Sequence, residues 1–251
     1  LYPEKYIIAG GTHPTVDAQD VMQNEDIDCI CVGEGEQVIA DIVKNYRTQN
    51  LSSIPNIYYK QNGKFHKNET CMDQSHSLDH YPLPDYSIFK FEDMHCYKAR
   101  IKYLPLMLSR GCPYNCSYCS NYVVFKVSKQ SKRLITRIYS PQNAVELIKT
   151  NLKLADFRSI SFDDDIIGID KVWNREFFKL YKEEVGLPFK FYVRSEYVTE
   201  EFVQLVKEAG CYRVTFGLET GNYRLRKEIL NKRTSDAMFV KTFKLFKKYN
   251  I

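Results

Sequence analysis

The chain has 251 residues, 44% of them hydrophobic and 27% charged, which excludes disorder along its whole length because there is ample apolar side chain to bury. No apolar run approaches the roughly 18 residues that would span a bilayer. The opening Leu1-Tyr2-Pro3-Glu4-Lys5 has no apolar core of a secretory signal, so a cytoplasmic protein is expected. The 36 basic and 31 acidic residues leave +5, and the densest basic stretch, Lys241 to Lys248, has the spacing of a solvated helix face. A nucleic-acid partner is therefore not expected. The chain opens without Met and stops at Ile251 just after a helical pattern, so it reads as cut at both ends.

In chain order, Lys5 to Ala9 has a buried-strand pattern ending at Gly10-Gly11, and a helix is predicted over about Val16 to Gln23. Ile27 to Val32 is a second strand ending at Gly33-Glu34-Gly35-Glu36. Gln37 to Tyr46 follows as a helix with Val38, Ile39, Ile42 and Val43 on one face. Strands alternating with helices imply a parallel sheet. Ile57 to Phe65 reads as a hairpin turning at Asn62-Gly63, and about thirty aperiodic residues after it read as a linker.

From Tyr103 the alternation resumes. Strands are predicted near Leu104–Ser109, Arg158–Phe162, Phe189–Arg194 and Arg213–Gly217. The intervening helices fall near 141–152, 171–184, 200–209, 223–230 and 235–249. Four such units suit part of a barrel, and a complete one would need more strands than the chain supplies.

The strongest chemical feature is Ser109-Arg110-Gly111-Cys112-Pro113-Tyr114-Asn115-Cys116-Ser117-Tyr118-Cys119. Three thiols on one loop can share a metal centre. With no secretory signal, metal chemistry is a better reading of these cysteines than disulfides. Structural zinc wants four ligands, and His95, Cys96 or Cys211 could supply the fourth. An iron–sulfur cluster held by only three thiolates leaves one iron open.

The sequence SRGCPYNCSYCS, with Cys-x3-Cys-x-aromatic-Cys, resembles the signature of radical S-adenosylmethionine (radical SAM) enzymes. In that family three such cysteines hold a 4Fe–4S cluster. The amino and carboxylate groups of S-adenosylmethionine chelate the open iron, and reduction yields a 5′-deoxyadenosyl radical. The resemblance makes Cys112, Cys116 and Cys119 the metal ligands and places Tyr118 at the cofactor. Asp163 and Asp164 stand where the family binds the cofactor's amino group. Most members have Gly-Gly-Glu there, and the Asp-rich version occurs in the cobalamin-linked branch. Either aspartate could instead cap the following turn.

The same resemblance implies a role near the adenosylmethionine for one of Arg194 and Glu196, a plain surface ion pair being the alternative. Gly217 and Glu219, in Phe216-Gly217-Leu218-Glu219-Thr220-Gly221, look like the branch's FGxE(S/T)G segment, whose glycine lets the backbone approach the cofactor. At the front, Gly10, Gly11 and His13, with Gly33, Glu34 and Gly35, resemble the second half of a cobalamin-binding domain, where such loops meet the nucleotide tail and lower corrin rim. His13 is expected to support or touch that tail. The Asp-x-His-x-x-Gly loop that ligates cobalt elsewhere is not in this chain.

The expected fold is α/β. A partial Rossmann-like cobalamin-binding domain (1–50) leads through a hairpin and linker (51–99) into a partial (β/α) radical SAM barrel (100–251), truncated at its C-terminus. The implied cofactors are a 4Fe–4S cluster, S-adenosylmethionine and, in the full-length protein, cobalamin. The implied partners are a small-molecule substrate and an electron donor such as flavodoxin or ferredoxin. The implied reaction is radical activation of that substrate for methyl transfer or cyclisation. Two alternatives stand beside it: a radical methylthiotransferase with a second cluster on Cys29, Cys31 and Cys71, and a zinc-stabilised binding module.

Overall fold

The computed structural model describes residues 5–48, 50–71, 77–127 and 136–251; residues 1–4 and part of the expected linker, 72–76, lie outside these ranges. The front of the chain forms β1 (Ile8–Ala9), α1 (Thr12–Val16), α2 (Ala18–Gln23), β2 (Cys29–Cys31), α3 (Glu36–Asn45), β3 (Ile57–Gln61) and β4 (Lys64–Lys67). Next come α4 (His95–Lys98), β5 (Tyr103–Leu106), β6 (Ser109–Arg110), α5 (Ser120–Val127), β7 (Arg137–Ile138) and α6 (Pro141–Leu152). The remainder is β8 (Ser159–Ile167), α7 (Lys171–Glu184), β9 (Phe189–Val193), α8 (Glu200–Glu208), β10 (Cys211–Thr215), a π-helical turn (Leu225–Ile229) and α9 (Asp236–Lys248). These elements fall into two compact units, residues 1–74 with 113–134 and residues 75–112 with 135–251.

The first unit holds one sheet in the order β1-β2-β3-β4. β1 and β2 are parallel, as the βα pattern predicts, whereas β3 joins β2 antiparallel. Asn62 and Gly63 both have positive φ, as a two-residue hairpin turn requires. The sheet thus extends past residue 50, because Ile57, Tyr58 and Tyr59 are buried on the edge of β2 that β1 leaves open. The helix expected from Val16 is instead two short helices broken at Asp17, whose side chain caps α2 by accepting from Asp20 N at 3.3 Å. α5, the helix that follows the cysteines, packs against α1.

The second unit is built on an all-parallel sheet in the order β5-β8-β9-β10. Its helices start where their capping residues predict: Ser140 precedes Pro141 at α6, and Asp170 accepts from Val172 N and Trp173 N at α7. Leu104, Leu106, Ile160, Phe162, Phe189 and Phe191 are buried in the core that also takes Phe177, Phe178 and Tyr181 of α7. Side chains alternate along a strand, so Tyr103, Ser161, Asp163, Lys190 and Tyr192 lie on the opposite face. Phe162 is the hub, with ring centroids 5.8 Å from Phe177, 5.8 Å from Tyr181 and 5.5 Å from Phe189.

β8 runs on through Asp163, Asp164 and Asp165 rather than stopping at Phe162. Its register on β9 shifts between Phe162 and Ile167. Aspartate has poor strand propensity, but here a tertiary hydrogen bond at Asp164 holds the segment extended. Phe162→Ala should cost about 3–5 kcal/mol of stability in urea denaturation, with Phe162→Leu losing clearly less.

Candidate active site

β5 leads through Met107 and Leu108 into β6 and then the cysteine loop. Leu108 N donates to Asp164 Oδ1 at 2.9 Å, and Ser109 Oγ donates to the same oxygen at 2.5 Å. On the far side, Tyr139 N donates to Leu108 O, and β6 pairs antiparallel with β7. The arm entering Cys112 is therefore pinned from both sides. Asp164 is 1% exposed and its Oδ2 has no partner. Burial raises its pKa to about 7 against the opposing hydrogen bonds from Ser109 and Leu108.

Gly111 turns the arm with φ +90°, a conformation that side chains disfavour. Cys112 belongs to the second unit, and Cys116 and Cys119 to the first. Cys119 N donates to Cys116 O at 3.1 Å, and this turn feeds directly into α5. Cys116 is buried, Cys112 and Cys119 are half-buried, and Tyr118 is exposed. Among the described residues no three metal-binding side chains are already gathered closely enough to hold a single metal ion. The fit to a cluster rests instead on donor chemistry: three thiols and no fourth on an eight-residue stretch, the set that leaves one iron of a cube open.

Asp163, next to the buried brace, is exposed and accepts from Ser161 Oγ at 2.5 Å. The two neighbouring aspartates therefore divide their work, Asp164 holding backbone and Asp163 facing outward. Past β9, Arg194 Nη2 lies 2.7 Å from Glu196 Oε1, with the Arg194 side chain 10% exposed. Thr234 Oγ1 donates to the same oxygen at 2.5 Å, and Arg194 Nη2 donates to Thr234 Oγ1 at 3.3 Å. Burial alone would raise Glu196, but the Arg194 and Thr234 hydrogen bonds and the guanidinium charge outweigh it and hold the carboxyl below its ordinary range.

Glu219 has φ +64°, and its Oε1 lies 3.0 Å from Lys232 Nζ. Its carboxylate folds back over Gly217, where a Cβ would collide with it and press on Lys232 Nζ. A side chain at 217 would therefore have to displace the flexible end of Glu219 and disturb its ion pair with Lys232. Arg226, in the π-helical turn, is fully buried. Its Nε donates to Thr234 O at 3.0 Å and its Nη1 to Thr220 O at 2.6 Å, and it ion-pairs with Asp236. One guanidinium thus clamps both the FGLETG turn and Thr234, the hydrogen-bond partner of Glu196. Sequence reading misses Arg226, Lys232 and Thr234, since nothing in their local spacing marks them; Ser109 stands in the cysteine motif, and only the fold shows that it binds Asp164.

In the first unit, the two glycine loops are tied together by Thr15. Its Oγ1 donates to Gly11 O at 2.7 Å and accepts from Gly33 N at 2.9 Å. Gly11 and Gly33 both have positive φ, and nothing lies within 4 Å of where a Cβ on Gly11 would be. Gly10 and Gly35 both approach Cys31, whose Sγ donates to Glu34 O at 3.4 Å. His13 is exposed, its Nε2 3.6 Å from Asp20. Cys29 and Cys31 are core residues whose thiols burial pushes up to about 12 and about 11.

A parallel sheet whose first strand leads, through a stretch held by Asp164, into a loop with three cysteines is the architecture of a metallocofactor-binding α/β domain. Residues 106–251 match the radical SAM superfamily, and the chain belongs to it. That family uses a 4Fe–4S cluster and S-adenosylmethionine. The chain is 28% identical to an uncharacterised methyltransferase of Pyrococcus horikoshii over 98% of its own length and 52% of the relative's. It is 26% identical to the cytidylyl-2-hydroxyethylphosphonate methyltransferase of Streptomyces wedmorensis, over 92% and 47%. It is 23% identical to the anaerobic magnesium-protoporphyrin IX monomethyl ester cyclase of Cereibacter sphaeroides, over 100% and 41%. The chain thus spans about half the length of these relatives. Its fold matches a radical S-adenosylmethionine methyltransferase of Kitasatospora setae, solved with tryptophan and an S-adenosylmethionine analogue, with a TM-score of 0.73 at 14% identity over 98% of this chain and 48% of that one.

Asp164 supplies a signed pH prediction. Its pKa is higher folded than unfolded, so acid favours the fold: its penalty is absent below about pH 4, grows towards pH 7 and is constant above. Asp164→Asn, which keeps acceptors for Leu108 and Ser109, should remove that decline from thermal melts between pH 4 and 7. Arg226→Met should cost about 2–4 kcal/mol, because Thr220, Thr234 and Asp236 lose their shared donor. Denaturant melts would measure it.

Proposed function

We propose that the chain is the catalytic portion of a cobalamin-dependent radical SAM enzyme that activates a carbon of a small-molecule substrate, with methyl transfer as the preferred outcome and ring closure as the second. The observation that carries this reading is the cysteine arm, anchored by Asp164 at Leu108 and Ser109, three residues before Cys112. Two of the three named relatives are methyltransferases and the third is a cyclase. A solved chain with the same fold, at 13% identity, holds cobalamin and a [4Fe–4S] cluster.

In this reading Cys112, Cys116 and Cys119 hold the cluster, with Tyr118 beside it. Asp163 accepts from the cofactor's amino group while Asp164 keeps the arm in place. Arg194 and Glu196 meet the carboxylate or ribose of S-adenosylmethionine, with Thr234 and Arg226 fixing their positions, and Gly217 and Glu219 close over it. Gly10, Gly11, His13, Gly33, Glu34 and Gly35 receive the cobalamin tail; the open backbone at Gly11 and the Thr15 tie suit that task. When bound, these cofactors supply the adenosyl radical and a transferable methyl group, while the protein positions them and excludes water. A one-electron donor such as flavodoxin or ferredoxin completes the system. No helix among the described residues is long and apolar enough to cross a membrane.

A second cluster on Cys29, Cys31 and Cys71 is disfavoured, because burial keeps the first two thiols protonated in the core of the front sheet. Anaerobic reconstitution should give about four irons per chain, the content of one cubane cluster. The electron paramagnetic resonance spectrum of the reduced protein should shift on adding S-adenosylmethionine. The signal should be absent in the Cys112→Ala/Cys116→Ala/Cys119→Ala variant. Bound zinc with no such signal would sink the enzyme reading, and about eight irons would favour the methylthiotransferase.

A further inference from the structure

The face of the parallel sheet opposite the helices carries an arrangement that the cofactor-binding residues do not use. Pro105 pairs with Ser161, Ser161 with Lys190, and Lys190 with Arg213. The four strands run in one direction, so these residues form a single row across the sheet at one depth. Lys190 and Arg213 are therefore neighbours on one face, on strands roughly 4.8 Å apart. Phe189 and Phe191 go to the helix core while Lys190 does not; on the last strand the register shifts between Cys211 and Arg213, beyond which Val214 packs on that core while Arg213 is exposed. Lys190 Nζ lies 4.3 Å from the Tyr103 ring centroid, on the same face.

Neither cation makes an ion pair among the described residues. Like charges directly opposite on neighbouring strands repel, and no carboxylate among the described residues pairs with either. Of the exposed carboxylates of β8, Asp163 stands two residues from Ser161 and is held by Ser161 Oγ, and Asp165 lies two residues further on. Aromatic rings lie on the same face: Tyr103, and Tyr192 beside Thr215 in the next row. Lys190 lies four residues, about 13 Å of strand, before Arg194. The cations thus sit deeper on this face than the residues assigned to S-adenosylmethionine.

We infer that Lys190 and Arg213 form the recognition site for an oxyanion on the substrate, a phosphoryl, phosphonyl or carboxylate group, with Tyr103 and Tyr192 against the body of the molecule. This rests on the proposed function above, a radical SAM enzyme acting on a small-molecule substrate, and takes the exposed face of the sheet as the surface that receives it. A guanidinium takes two oxygens of such a group through parallel hydrogen bonds, and the ammonium adds a point charge beside it. A bound anion also removes the repulsion between the two cations. No covalent step is involved, and the two residues bind and orient.

The test uses phenylphosphonate, benzoate and the neutral benzyl alcohol as probes, titrated into the chain by nuclear magnetic resonance at low and high salt. Saturable phenylphosphonate binding, weakened at least tenfold in Lys190→Gln/Arg213→Gln and by added salt, is expected; tighter binding of benzoate with the same losses would assign the carboxylate. Arg213→Gln alone, at an exposed position, keeps the test interpretable if the double variant folds poorly, and should itself lose several-fold. Equal binding of benzyl alcohol, unchanged anion binding in both variants, or no saturable anion binding would overturn the inference. The cluster's response to S-adenosylmethionine is read separately on the unaltered protein. An intact response without anion binding would count against this site alone.

Discussion

The carboxylate of Asp164 is the contact on which the rest of the site depends. It is buried on a strand whose neighbours are aromatic, and it spends its Oδ1 on the backbone of Leu108 and the hydroxyl of Ser109. That fixes the direction in which the chain leaves the sheet, three residues before the first cysteine. A buried acid is expensive unless hydrogen-bonded, and this one remains half satisfied, with its pKa moved to about 7. The cost is local, and the return is a cysteine arm that cannot slide along its sheet.

A second constraint works at the other edge of the sheet, in the loops that follow its last strand. Arg226 is fully buried in a π-helical turn, and its donors go to one side chain and two backbone carbonyls far apart on the loops. π-turns are uncommon and often mark functional positions. Here the extra residue in the turn accompanies a guanidinium placed inside the loop system, between the rings of Tyr223 and Phe239. Glu219 is held in a left-handed conformation beside it, with Lys232 as its counter-charge. Asp164 and Arg226 therefore perform the same task, since each uses one buried charged group to fix the backbone that presents exposed ones.

The sheet between them has two faces with different chemistry. One is a close-packed aromatic core that fixes strand register through Phe162, Phe189 and the α7 rings. The other carries serine, aspartate, lysine, arginine and tyrosine in rows. Register on the core face decides which polar residues become neighbours on the opposite one, so packing against α7 also sets the spacing of the chemistry.

Much of this was legible in the sequence. The cysteine spacing is covalent and survives any folding, and capping residues such as Ser140 and Asp170 set helix starts from their own local hydrogen bonds. The strand and helix periods of the second unit follow from which faces are apolar. The pairing of the Ile57–Lys67 hairpin with β2, the extension of β8 through three aspartates, and the different fates of Asp163 and Asp164 were not legible. Each depends on a partner distant in sequence: Ser109 is 55 residues from Asp164, and Thr234 is 38 from Glu196. Local composition determined the elements and the metal-binding chemistry, and only tertiary packing decided which charged groups became braces and which were left facing outward. Burial and long-range hydrogen bonding are properties of the assembled fold, which no window of neighbouring residues contains.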